Sequence, residues 1–145
     1  MPTYADPEGG RLIAAEDLRG RLALVPIGSN VSDDPPAGYD RAAWRAEAGI
    51  GPDGGLVAYF GFLNASKGAR TLADALGALV AAGRDVRLVM IGGAVGASDP
   101  SNAAYLEQFK ADLASRGLDR HVCWTGHVPP HEVSAWLRAA DAAAL

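Results

Sequence analysis

The stretch that most limits what this chain can become covers residues 56–68, LVAYFGFLNASKG. Its first five residues, Leu56, Val57, Ala58, Tyr59 and Phe60, are apolar without alternation, with Gly54-Gly55 before them and Gly61 after. Such a run suits a parallel strand covered on both faces. Gly61 lets the backbone turn without a Cβ penalty. Asn64 and Ser66 are both N-cap types with helical spacing behind them, so a helix is expected to begin near Lys67. Strand, glycine turn and helix together offer free backbone N–H groups, a helix N-terminus and one ammonium. Those are the parts an anion site needs.

Behind this stretch the pattern repeats. Leu72, Leu76, Leu79 and Val80 recur at i, i+4, i+7 and i+8, one helical face, which Gly83 ends. Residues 86–91, VRLVMI, form the next expected strand, closed by Gly92-Gly93. After a loop over 94–102, Leu106, Phe109 and Leu113 share a helix face stopped by Gly117. Residues 121–125 give a third strand. Pro129-Pro130 then precedes a helix with Val133, Trp136, Leu137 and Ala140 inward; Asp141 ends it, and 142–145 begin a fourth strand. Strands alternating with helices imply right-handed βαβ units, hence an α/β, Rossmann-like open parallel sheet with flanking helices. Trp124 and Trp136 are expected in its core.

The segment before residue 51 is less regular. Residues 1–10 read as a loose end, and 11–21 as either a short helix or a loop. Residues 22–27, LALVPI, read as a strand that Pro26 places at an edge or a strand end. Residues 32–38, SDDPPAG, read as a linker, after which Asp40 can cap a short helix through Ala48 that Gly49 closes. Residues 1–50 therefore form an amino-terminal crossover or linker region with a short strand and helix, and 51–145 the Rossmann-like domain, incomplete at its carboxy end. The chain stops inside an element and reads as a fragment.

Charge and composition narrow the function classes. The chain has 145 residues, 49% hydrophobic and 21% charged, which places it among globular domains. A net charge of -4 with no basic run argues against nucleic acid or an anionic membrane as partner. No apolar stretch approaches the roughly 20 residues of a transmembrane helix, and residues 1–10 lack the basic and apolar parts of a signal peptide. A lone Cys123 excludes an intrachain disulfide and fits a reducing, cytoplasmic location.

Few residues offer chemistry. Lys67 is the sharpest candidate, an ammonium beside a helix N-terminus that can meet a phosphate as a point charge; the alternative is a solvated lysine on a surface helix. Ligands of open parallel sheets sit outside the carboxyl ends of the strands, which lines up residues 61–67, 92–96 and 126–128 along one rim. The turn is not a Walker A loop, and no Gly-x-Gly-x-x-Gly follows any strand. His127 and His131 are separated by Pro129-Pro130 and cannot share a helix face, so no metal site is expected. Asp99, Asp119 and Asp141 read as cap or turn residues. No nucleophile–base pair is visible, so no catalytic residue is assigned.

The run GFLNASKGARTLADAL, followed by RLVMIGG and then HVCWTGHVPPHEVSAWLRAAD, resembles the carboxy-terminal domain of group 1 (family 4) retaining glycosyltransferases of the GT-B fold. VPIGSNV at 25–31 is similar to the segment where those chains cross into that domain. The resemblance implies a bacterial enzyme of carbohydrate biosynthesis. It makes 51–145 a nucleotide-sugar-binding domain for a nucleoside-diphosphate sugar, the donor substrate, with no other cofactor. It places Lys67 on the diphosphate, Gly61 under the donor, and Gly92, Gly93, Gly126, His127 and Val128 along the sugar-nucleotide, the last three near the base. Transfer would retain anomeric configuration, to an acceptor the sequence does not name.

Phe62 stands where that family often carries an arginine, a second phosphate contact, and Arg70 one turn on could replace it. The family's acidic pair would fall beyond Leu145, so the fragment alone is expected to be inactive. Two alternatives stand beside this reading: a non-catalytic Rossmann-like module that has lost nucleotide binding, and another GT-B enzyme such as a sugar-nucleotide epimerase or a phosphorylase. A parallel sheet ending at a fourth strand leaves an unpaired edge. The chain is therefore expected to self-associate or to be marginally stable, and sedimentation showing a monomer that also melts at high temperature would contradict this.

Overall fold

The computed structural model describes residues 31, 34–63, 67–92 and 100–144. The expectations for 1–10, 11–21 and 22–27, the N-cap candidates Asn64 and Ser66, and Gly93 all lie outside the described residues. In chain order the elements are α1 (Arg41–Glu47), β1 (Gly55–Phe60), α2 (Ala69–Ala81), β2 (Val86–Ile91), α3 (Pro100–Ser115), a 3-10 turn (Asp119–His121), β3 (Val122–Gly126), α4 (Pro130–Ala139) and β4 (Ala142–Ala144).

The strands form one parallel sheet in the order β3-β2-β1-β4. β1 lies inside it, Gly55 to Phe60 paired with Val86 to Ile91 on one side and Val57 to Tyr59 with Ala142 to Ala144 on the other. Its unbroken apolar run has a direct cause, because successive side chains enter two different cores. Tyr59 joins Leu88, Met90, Leu76, Phe109 and Leu113 under α2 and α3. Leu56 and Ala58 join Val89, Ile91, Val133 and Trp136 under α4. A strand sandwiched in this way has no face left for a polar residue.

Several expected features appear. The Asp40 carboxylate accepts from Ala42 N at 2.9 Å and caps α1, while Gly49, Gly83 and Gly117 follow α1, α2 and α3 with φ of 73°, 71° and 65°. Pro130 opens α4 at its first turn, where a missing N–H costs nothing. Trp136 is fully buried and meets Trp44 of α1 edge-to-face at 4.8 Å, so α1 packs into the same core as α4.

Three expectations change. Leu79 is exposed, because the face of α2 that meets the sheet is Ala69, Ala73 and Leu76, with Leu72 and Val80 at its margins. Two alanines bring the helix close to the strands, and Leu79 falls roughly a quarter turn off that stripe. Trp124 is 36% exposed rather than core. β3 is an outer strand, and among the described residues its indole leans on α3, meeting Phe109 edge-to-face at 6.2 Å with Lys110 Nζ 5.6 Å from the ring centre. Finally, α2 starts at Ala69 with left-handed Gly68 as its N-cap and no side-chain cap, two residues beyond Lys67.

Asp141 does far more than end a helix. Its Oδ2 accepts from Leu56 N at 2.8 Å and from buried Arg45 Nη1 at 2.9 Å, and its Oδ1 accepts from Arg41 Nη2 at 2.6 Å. Its own N–H donates to Leu56 O at 2.7 Å. Arg45 also donates to the carbonyls of Ala139, Gly51 and Gly54. One carboxylate thus ties α1, the start of β1 and the α4–β4 junction together. The hydrogen bond from Leu56 N, then the two guanidinium groups, pull its pKa down to about 2 against the desolvation that opposes them. A depressed carboxylate adds stability above its unfolded pKa, about 3.9, and loses that contribution as pH falls through its folded value. Asp141→Asn should therefore lower the thermal midpoint by roughly 5 °C above pH 4, with the gap to wild type closing by pH 2. A gap that stays constant across that range in circular dichroism melts would refute the assignment.

Candidate functional site

The carboxyl ends of β1, β2 and β3 form one rim, marked by three glycines with positive φ: Gly61 directly after β1 at 133°, Gly92 directly after β2 at 105° and Gly126 as the last residue of β3 at 67°. They are stitched together by backbone. Gly61 N donates to Ile91 O at 3.2 Å, and Gly92 N donates to Gly126 O at 3.1 Å. Between Met90 and Ile91 the pairing with β3 slips by one residue, so Thr125 stands unpaired in the ladder. Its hydroxyl donates to Gly126 O at 2.9 Å, which fixes the carbonyl that receives Gly92. A bulge of this kind bends the strand end and redirects the residues after it, here His127 and Val128.

Two cavities open along this rim. The larger, about 420 Å³, is lined by Val31, Phe60, Gly61, Phe62, Gly92, His127, Val128, Pro130 and Val133. The smaller, about 230 Å³, lies on the α3 side over Tyr59, Met90, Leu106, Lys110 and Trp124, and shares Gly61, Gly92 and His127 with the first. Of the residues expected from sequence, Gly61, Gly92, His127 and Val128 meet at the larger cavity and Gly126 lines the smaller one. Lys67 is exposed and lines neither, and Gly93 is outside the described residues.

The walls of the larger cavity carry a chemistry that sequence reasoning missed. Phe60, Phe62, Val128, Pro130 and Val133 make it mostly apolar, and among its described lining residues His127 alone brings an ionisable side chain. Pro130 and Val133 read as helix start and core; only their place above the end of β1 turns them into cavity wall. The Tyr59 hydroxyl donates to Phe62 O at 3.0 Å and anchors the turn from beneath, and burial pushes that phenol further above its ordinary range. Burial also raises the half-buried Cys123 thiol, which keeps it a poor nucleophile. Among the described residues no group of three or more His, Cys, Asp or Glu could hold a metal ion, and no helix is long and apolar enough to cross a membrane.

Comparison with known proteins decides the family. The profile described as glycosyl transferases group 1 matches residues 40–145, which takes in every described strand and helix. The chain is a member of the group 1 glycosyl transferases. It is 31% identical over 129 residues to a D-inositol 3-phosphate glycosyltransferase of Nocardia farcinica, covering 88% of this chain and 27% of that one. The chain thus spans about a quarter of that relative's length. Its fold is similar to the C-terminal domain of the group 1 glycosyl transferase LpcC from Francisella tularensis, with a TM-score of 0.62 and 21% identity over 80% of this chain and 57% of that one. It is equally similar to Anabaena HepE, solved in complex with UDP and glucose, with a TM-score of 0.63 and 20% identity over 80% of this chain and 29% of that one. These likenesses establish a Rossmann-like α/β sheet of the GT-B type.

Gly92 tests the rim directly. A Cβ there would meet Gly61 O at 3.2 Å, and its φ of 105° is one that L side chains rarely adopt. Gly92→Ala should destabilise the domain by about 1–3 kcal/mol, read as a lower urea midpoint at unchanged slope. An unchanged midpoint would mean that the two glycine turns move apart freely.

Proposed function

We propose that this chain is the donor-binding part of a glycosyltransferase that takes a sugar from a nucleoside-diphosphate sugar and passes it to an acceptor with retention of configuration. The observation that carries the reading is the group 1 match over a strand–glycine turn–helix series with a ligand-sized cavity at its carboxyl rim. In this reading the base lies toward Gly126, His127 and Val128. The diphosphate crosses the Gly61 turn toward Lys67 and the uncapped first turn of α2, where backbone N–H groups and the helix dipole favour negative charge. The complex of Anabaena HepE with UDP and glucose supports a donor of this class. The whole protein would work in the cytoplasm. This part alone would bind donor without turning it over, since no carboxylate lines either cavity among the described residues.

The second reading, a module that keeps the fold and has lost the ligand, is favoured by one observation: Lys67 lines neither cavity. Ligand-observed NMR separates the two. Saturation transfer to one of UDP, GDP or ADP, lost in Lys67→Ala, is the expected result and names the base. A folded chain that transfers saturation to none of them, nor to their sugar conjugates, would leave the ligand-free module standing.

A further inference from the structure

The turn that closes β3 has a freedom that something must remove. Gly126 sits at φ 67°, and glycine lets the peptide plane behind such a residue rotate at little steric cost. That plane carries Gly126 O and His127 N–H, and His127 and Val128 line the larger cavity. Two donors hold it. Gly92 N donates to Gly126 O at 3.1 Å and Thr125 Oγ1 donates to the same oxygen at 2.9 Å, which uses both lone pairs of the carbonyl.

Only one of these donors depends on residue type. A backbone N–H like that of Gly92 is supplied by any residue except proline, whereas the hydroxyl is Thr125's own. Its oxygen lies 2.9 Å from Gly126 O and 3.4 Å from Met90 O, and its single proton goes to the nearer acceptor. Carbonyl and N–H of one trans peptide point in opposite directions, so the bond that holds Gly126 O also sets the aim of His127 N–H. Thr125 stands at the slip in register between β2 and β3, where ladder pairing alone does not fix the backbone.

We infer that Thr125 is a positioning residue for the donor: its hydroxyl holds the Gly126–His127 peptide in one orientation before the ligand arrives, a role that rests on the sugar-nucleotide reading above. Thr125 lines neither cavity, so it acts through that peptide and not by contact. A site ordered beforehand loses less freedom on binding, and the gain appears as affinity. The Gly61 turn is held by the same device, with the Tyr59 hydroxyl on Phe62 O.

Isothermal titration of the wild type, Thr125→Val and Thr125→Ser with UDP, GDP and ADP tests this, alongside amide hydrogen exchange. Valine keeps the shape and the β-branch and removes the donor, while serine keeps the donor. Thr125→Val is expected to bind the preferred nucleotide roughly fivefold more weakly and to exchange the Gly92 N–H faster, and Thr125→Ser to match the wild type in both. Affinity or Gly92 exchange unchanged in Thr125→Val, or affinity lowered as far in Thr125→Ser, would overturn the positioning role and leave the donor reading intact. A folded wild type that binds no nucleotide would bring down the two together. Each titration is run well below the thermal midpoint of its variant, so that partial unfolding does not pass for weak binding.

Discussion

A buried guanidinium has to be answered, and in this chain the answer comes almost a hundred residues away. Arg45 is 3% exposed and meets one carboxylate, Asp141, together with the carbonyls of Ala139, Gly51 and Gly54. Desolvating such a charge is costly unless its partners are in place. The arrangement therefore forbids α1 from drifting off α4, and it sets where β4 begins beside β1. With β1 and β4 in register, the carboxyl end of β1 is placed, and with it the Gly61 turn and the cavity.

From that junction the structure divides its labour. The amino ends of the strands carry the charge network: Asp141 and Arg45 at β1, and Arg87 reaching the Arg120 carbonyl at β2 and β3. The carboxyl ends carry glycines and apolar walls. The charge network and the candidate site thus sit at opposite ends of the strands of one sheet, the arrangement open parallel sheets generally use. The Thr125 bulge shows how finely the cavity rim is set, since one extra residue turns His127 and Val128 toward the cavity instead of along the strand.

Much of this was legible in residue order. The apolar run at 56–60, the helical stripes ended by Gly83 and Gly117, and the Asp40 cap are local signals, and local signals survive into the fold. What escaped depended on distance. Asp141 reads as a helix stop because its partners, Arg45 and Leu56, are 96 and 85 positions away. Trp124 reads as core because a strand sequence does not say whether the strand lies at a sheet edge. The cavity walls escaped for the same reason: Phe62 and Pro130 become neighbours only after a crossover has closed. The glycine rim was readable because a glycine stands at or directly after the end of each of β1, β2 and β3.

The three tryptophans end up in unlike places. Trp136 is 2% exposed and locked edge-to-face against Trp44, while Trp124 is 36% exposed beside the smaller cavity with a lysine ammonium over its ring. An indole shielded from water emits at shorter wavelength than one in contact with it, and a nearby cation perturbs the exposed ring further. The molecule therefore carries two optical reporters on one chain, one tuned to the packing of α1 on α4 and the other to events at the rim. A small quencher in solution would dim Trp124 and leave Trp136 bright.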